Sequence, residues 1–399
     1  MKEFNLTFSS KVWGLKLNDN QVVSIVSPNL QTKNFDVGAL VRDALANPIE
    51  YPQLCSAVTP DDRIAIVVDD QISGFLEVLK AVIEHLSGAG IALENITVVC
   101  PTGTNPDVWI NALPDELDEI KVEVHNSANK KKLCFLATTE EGLGIYLNRT
   151  LVEAEQVVVI GRRYYSPLFG IGGAECDLFP RFSNLETIAT FNKDFNDELE
   201  DAVHPAKQQA IKVAWYLGAP YFIQIVEGSA GNIEAVIVGS VQANRFSEEK
   251  LNEVWMNEVS LAADVVVATV GGKDEKIEFP QLCSAVACAS RVVKKNGVIV
   301  LLAEAEFNLA NIKKQLETKS LEKNDSTIKL VSTHNLKQWV DSASSSRVYV
   351  STFGGKGEIA KLLASPLNSA QDLMDLVASA KHITIIHDAH KAYVKVKKS

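Results

Sequence analysis

The residues best equipped for chemistry lie between Val157 and Asn192. An apolar run, Val157 to Ile160, leads into Gly161-Arg162-Arg163-Tyr164-Tyr165 and then Gly170-Ile171-Gly172-Gly173-Ala174-Glu175-Cys176-Asp177. Four glycines within thirteen residues, directly after a β-branched strand, predict a backbone that turns sharply at the strand's carboxyl end and lets a ligand approach closely. Arg162 and Arg163 are candidate substrate-binding residues, because a guanidinium pairs with a carboxylate through two parallel hydrogen bonds. The competing assignment pairs them with Glu175 and Asp177. Tyr165, beside two cations, is a candidate acid or base with a lowered pKa, a packed aromatic being its plainer role. Glu175, Cys176 and Asp177 carry ligand-type atoms, but neighbours on one turn rarely all face one ion, so no metal site is assigned. The segment Gly170-Ile171-Gly172-Gly173 also invites comparison with a dinucleotide fingerprint, which Pro180 and the loop composition fit poorly.

The composition narrows the partners. A net charge of −11 repels phosphate backbones and argues against nucleic acid. No apolar run reaches the ~18 residues of a membrane span, and Met1-Lys2-Glu3-Phe4-Asn5 lacks the apolar core of a signal peptide, so the expectation is a cytoplasmic protein with no membrane partner. The six cysteines include no CxxC pair, which speaks against a zinc site or a disulfide framework. A small-molecule carboxylate is the expected ligand, and the pattern leaves room for a homo-oligomer.

The elements that must position these residues read as α/β. At 399 residues the chain exceeds one ordinary core, so two domains are expected. After strands at Lys11 to Leu17 and Val22 to Ser27, Asp36 caps a helix reaching Leu45. Strands at Arg63 to Val68, Ile96 to Cys100, Val122 to His125 and Val157 to Ile160 alternate with helices, among them one capped by Ser73 and one beginning near Pro106. This alternation argues mostly parallel sheets flanked by helices. The loops Asp69 to Ser73, Gly103 to Asn105 and Gly161 to Gly173 then lie at carboxyl ends of strands, where open α/β sheets bind ligands.

Farther on, Tyr221 to Val226 and Ala235 to Val241 form a hairpin, and Ser247 to Ala262 reads as a connecting amphipathic helix. A second α/β unit begins at Asp264, with a helix from Phe279 to Lys294, a strand from Val298 to Leu302, helices near Leu309 to Leu316 and Leu336 to Val340, a strand from Val348 to Thr352 and a helix after Gly357. Strands at 382 to 388 and 393 to 396 close the chain. The expected division is 1–245, a connecting helix 246–262, a second domain 263–370 and a return segment 371–399. The heptapeptide Pro52-Gln53-Leu54-Cys55-Ser56-Ala57-Val58 recurs letter for letter at Pro280 to Val286 without a longer repeat around it.

In order and spacing, Ala44-Leu45-Ala46-Asn47-Pro48-Ile49, Ile66-Val67-Val68-Asp69-Asp70, Gly103-Thr104, Gly172-Gly173-Ala174 with Pro180 and Glu186-Thr187-Ile188, and Gly271-Gly272 with Gln281 resemble the lactate racemase family, the nickel-pincer-nucleotide enzymes and their relatives. The resemblance implies an N-terminal domain and a smaller C-terminal one with the site in the cleft between them, and a racemase or epimerase reaction that inverts C2 of a 2-hydroxy acid. Two histidines would move the hydroxyl proton while hydride passes to the cofactor's pyridinium ring. A third would ligate nickel, a lysine would tether the cofactor, and an arginine and a lysine would hold the substrate carboxylate.

Carried over residue by residue, the two acid/base positions fall on Asn105 and Tyr165. The tether falls on Glu175 or Cys176, depending on whether it is counted from Gly173 or from Pro180. The nickel histidine becomes Asn192, and the carboxylate-holding pair becomes Ser73 and Ser284. Asp70, Gly172, Gly173 and Gln281 keep the family's residue type. The nickel-pincer nucleotide is thus implied by the resemblance, while asparagine has no pKa near neutrality and tyrosine titrates near ~10. The expected function is an altered racemase-like site for a small carboxylate, a 2-hydroxy acid or a nucleotide-like ligand, the alternative being a catalytically silent paralogue that binds a ligand or a protein partner.

Overall fold

The computed structural model of the protein describes residues 2–30, 36–117, 119–139, 142, 144–191, 204–272, 275, 277–305, 333–351 and 362–397. Two six-stranded sheets dominate it. The first runs, edge to edge, Ile233–Gly239, Tyr221–Glu227, Gln156–Arg162, Ile64–Val68, Ile96–Cys100 and Lys121–Val124; only Ile233–Gly239 is antiparallel to its neighbour. The second is wholly parallel: Ala364–Pro366, Arg347–Ser351, Val293–Leu302, Ala263–Thr269, His382–Ile386 and Val22–Val26.

The apolar runs read from sequence form the centres of both sheets because they are buried on both faces, as parallel strands must be. In Ile64–Val68, residues Ile64, Ile66 and Val68 pack with the helices Val37–Ala46 and Phe75–Gly88. Ala65 and Val67 pack on the opposite side with Ala174, Leu178 and Ala214. The second sheet buries Val266, Ala268, Ile299 and Leu301 against the helix Phe279–Ser290. Its other face, with Val265, Val267, Val298 and Val300, is covered by Leu6, Phe8, Leu15 and Leu17 of the hairpin Lys2–Phe8/Lys11–Leu17 and by the helix Ala370–Val377.

Several expectations change in detail. The chain's first strands join the second sheet: Val22–Val26 lies parallel to His382–Ile386, so both ends of the chain build a unit that the sequence division assigned to 263–370. The connecting helix is Asn244–Trp255, followed by the strand Met256–Val259, which pairs with Tyr393–Val396. That partner lies too far along the chain to leave a local signal. The helix from Phe279 ends at Ser290, earlier than expected, and the strand after it begins at Val293. Ser73 does not cap the helix Phe75–Gly88. Gly74, at φ 65°, holds the cap position, and a side chain there would be strained. The helix expected near Leu309 to Leu316, the one after Gly357, and Asn192 lie outside the described residues.

The repeated heptapeptide folds differently in its two settings. The first copy gives the four-residue helix Leu54–Ala57, and the second opens the twelve-residue helix Phe279–Ser290. Surroundings, not letters, decide its length.

Candidate functional site

The glycine-rich loop ends in a closed polar knot. Arg163 Nε donates to Ser247 Oγ at 2.7 Å, and Nη1 donates to Glu175 Oε1 at 2.8 Å and to the Gly172 carbonyl at 3.2 Å. Gln224 Nε2 donates to Glu175 Oε2 at 3.0 Å and to Asn244 Oδ1 at 3.1 Å, while its Oε1 accepts the Ala174 N–H at 3.0 Å. Burial pushes the Glu175 carboxyl up, but Arg163 and Lys207 outweigh it and hold it below the usual range. Both oxygens of this enclosed carboxylate are thus taken by donors of the protein itself.

The glycines are required by this packing. A Cβ on Gly173 would collide with the Arg163 guanidinium and with Gln224. One on Gly172 would stand 2.6 Å from the Tyr164 ring, and one on Gly161 would stand 2.7 Å from both Ala174 Cα and Asp177 Oδ2.

Most of the residues carried over from sequence have structural partners. Asn105 accepts the Asp107 N–H at 3.2 Å at the start of a short helix. Tyr165 donates to Asn252 Oδ1 at 2.9 Å and packs 5.4 Å from the Tyr393 ring; burial pushes its pKa up, the reverse of the lowering expected from two adjacent cations. Gln281 accepts the Glu278 N–H at 3.2 Å in a capping box, and Ser284 donates to the Pro280 carbonyl at 3.2 Å within the same helix. Asp70 accepts from its neighbour Gln71 at 3.1 Å. Ser73 gives its N–H and hydroxyl to Glu227 Oε1 at 2.9 and 2.8 Å. The Cys176 thiol is buried and pushed far up, which leaves it inert.

A second cluster, one residue from the knot, is open. Arg162 Nε lies 3.4 Å from Asp69 Oδ2, and its Nη1 lies 3.8 Å from Glu227 Oε2. Arg181 Nη1 stands 3.9 Å from Asp69 Oδ1 and 3.7 Å from Asp177 Oδ1. These separations exceed the ~2.7–2.9 Å of a closely held charged hydrogen bond. The two arginine side chains stay 28% and 39% exposed, so both guanidinium groups retain donors for another anion.

Asp177 is buried, and its Oδ2 has no hydrogen-bond partner among the described residues. Burial, and then the charge of Asp69, push its carboxyl up to about 7 against the pull of Arg181 and Arg162. Tyr164, beside it, is raised by burial and by Asp177.

This cluster sits where the two sheets meet. Asp69, Arg162 and Glu227 lie at carboxyl ends of strands of the first sheet. From the second sheet's side, Lys391 Nζ reaches Glu227 Oε2 at 3.7 Å and Glu275 Oε1 at 3.1 Å, and His390 Nε2 lies 2.9 Å from Glu275 Oε1. Ser229 donates to Asp388, and a Cβ on Gly272 would meet Ala230 Cα at 2.7 Å. Lys391 and Arg162 outweigh burial and keep Glu227 a carboxylate.

Sequence reading named Arg162, gave Asp177 as a pairing partner and put Asp69 in a strand-end loop, but missed Arg181, Glu227 and Lys391. Asp177 lies in the helix Ala174–Leu178 and Arg181 three residues beyond its end, so helical periodicity alone does not pair them. Lys391 meets Glu227 only through the fold and gave no local signal.

The donor set does not fit the cofactor that the resemblance implied. At the tether position Glu175 is engaged by Arg163 and Cys176 is a buried thiol, and no group of three His, Cys, Asp or Glu side chains among the described residues is arranged to hold a metal ion.

Residues 8–201 match the lactate racemase N-terminal domain. Those residues, just under half of the chain, carry the family resemblance. A lactate racemase from Thermoanaerobacterium thermosaccharolyticum is 22% identical to it over 287 residues, an alignment that spans 68% of this chain and 66% of that protein. The structure of the lactate racemase apoprotein from the same organism superposes with a TM-score of 0.79 at 18% identity, covering 99% of this chain and 100% of that one. A Thermotoga maritima protein of known crystal structure superposes with a TM-score of 0.67 at 13% identity, covering 92% of this chain and 100% of that one. The α/β architecture of mostly parallel sheets flanked by helices is therefore that of the racemase apoprotein. In this lactate racemase-like protein, no helix among the described residues is long and apolar enough to cross a membrane.

Proposed function

We propose that this lactate racemase-like protein binds a small carboxylate of the 2-hydroxy acid class in the crevice where the two sheets meet, with Arg162 and Arg181 as the anion-holding pair. The observation that carries the reading is the looseness of these two guanidinium groups. Both are partly exposed, sit near the carboxyl ends of parallel strands, and are paired only at 3.4 to 3.9 Å. A ligand carboxylate offers them shorter, bidentate contacts, and its hydroxyl would meet the carboxylates of Asp69 or Glu227. The racemase-like fold supports an isomerase reaction on such a ligand. Asn105 and Tyr165, as placed, offer no base near neutrality, which supports ligand binding without turnover as the second reading. The six free thiols support a reducing, cytoplasmic setting.

The test incubates the purified protein with single enantiomers of 2-hydroxy acids, following thermal stability and optical purity together. Stabilisation with loss of optical purity supports an isomerase; stabilisation alone supports the silent binder. If no 2-hydroxy acid shifts the melting temperature, the carboxylate site is wrong.

A further inference from the structure

Arg181 Nη1 stands between two carboxyl groups, 3.9 Å from Asp69 and 3.7 Å from Asp177, and forms a close hydrogen bond with neither. A Cβ on Gly161 would stand 2.7 Å from Asp177 Oδ2, and that oxygen is buried without a partner among the described residues. An incoming carboxylate that takes the remaining donors of Arg181 therefore comes to lie beside a second carboxylate on the same guanidinium. Two like charges there repel in a poorly solvated setting. A proton on Asp177 removes that conflict, and Oδ2 has no competing donor to oppose it.

We propose that anion binding at Arg181 is coupled to uptake of one proton by Asp177, so that the crevice takes a carboxylate together with a proton. The proposal rests on the carboxylate site assigned above and adds its regulation. The charged and titratable groups facing Asp177 are Asp69 after the strand Ile64–Val68, Arg162 at the end of Gln156–Arg162, Tyr164 in the following strand, Arg181, and Glu175 on its own helix. The charge of Glu175 is countered by Arg163, and Tyr164 is held protonated by burial, so near neutrality the pair that changes is Asp177 against Arg181 and Arg162. The carboxyl's position at about 7 puts the switch within the physiological range.

The linkage has a definite sign. An anion placed beside Asp177 raises its proton affinity, and by reciprocity protonation raises anion affinity. Affinity for L-lactate falls as pH rises above about 7, approaching tenfold per unit for one fully coupled proton.

The experiment titrates the full chain with sodium L-lactate by calorimetry at pH 6, 7 and 8, in PIPES and in imidazole, whose ionisation heats differ. Binding heat that depends on buffer identity, with uptake of up to one proton, is expected for the wild type. Asp177→Asn mimics the protonated form: it should bind lactate at pH 8 as tightly as the wild type binds at pH 6, with no buffer dependence. The wild-type buffer comparison stands even if that variant folds poorly. Saturable lactate binding that is buffer-independent and falls less than twofold from pH 6 to pH 8 overturns the coupling while leaving the carboxylate site intact. Absence of lactate binding at every pH overturns the site and the coupling with it.

Discussion

Arg162 and Arg163 are adjacent in the chain and have opposite fates. Arg163 turns inward, where Glu175, Ser247 and the Gly172 carbonyl hold it at 2.7 to 3.2 Å with no exposure. Arg162 turns to the strand's carboxyl edge, where its contacts are 3.4 and 3.8 Å and water still reaches it. Strand alternation explains the divergence, since successive side chains leave on opposite faces. The comparison separates a charge gripped at hydrogen-bonding distance inside the protein from one that is loosely paired and partly exposed, the one proposed above to hold a ligand.

The sharpest break of this comparison is in the knot. Arg163→Ala leaves Glu175 as a buried charge without its partner and should cost about 3–5 kcal/mol, read from urea unfolding. Replacing Arg163 and Glu175 together by methionine should recover most of that loss. A single variant within about 1 kcal/mol of the wild type would mean that the knot is not what holds the loop.

The next effect belongs to Asp177. Its folded pKa of about 7 lies above the ordinary 3.8, so the native state keeps a proton that the unfolded chain gives up across that window. Stability from this group is therefore complete below about pH 4 and drains away as pH rises through about 7. Asp177→Asn should melt higher than the wild type at pH 8 and show little difference at pH 4. A variant that melts lower at pH 8 would contradict the buried, unpartnered placement.

Arg162→Ala should cost less stability than Arg163→Ala, because the buried carboxylates of Asp69 and Glu227 keep Arg181 and Lys391 as remaining counter-charges. It should still weaken lactate binding roughly tenfold or more, as expected when a charged hydrogen bond worth about 1.5–3 kcal/mol is removed. The smallest effects belong to Asn105→Ala and Tyr165→Phe. Each loses one side-chain hydrogen bond, on the order of 1 kcal/mol, and neither should alter ligand binding.

The fold was largely readable. Ile64–Val68, Ile96–Cys100 and Ala263–Thr269 are predominantly apolar runs, and the Asp36 cap accepts the Ala39 N–H as its position foretold. What escaped was long-range: Val22–Val26 joining His382–Ile386, and Met256–Val259 turning to a strand because Tyr393–Val396 is there to pair with it. The site was less readable for the same reason. Family spacing led to Gln281 and Ser284, whose side chains are engaged in their own helix, and to Asp70 rather than Asp69, although it is Asp69 that reaches the arginine cluster. The glycines were conspicuous in the sequence, but a glycine makes room equally well for a guanidinium of its own chain and for a ligand.

The most direct test of the division between closed and open charges is the melting temperature of the wild type, Arg181→Ala and Arg163→Ala with and without saturating L-lactate at pH 6. The account predicts that Arg181→Ala melts closer to the wild type without ligand than Arg163→Ala does, and that it loses the lactate-induced rise. A lactate-induced rise that survives intact in Arg181→Ala would contradict it.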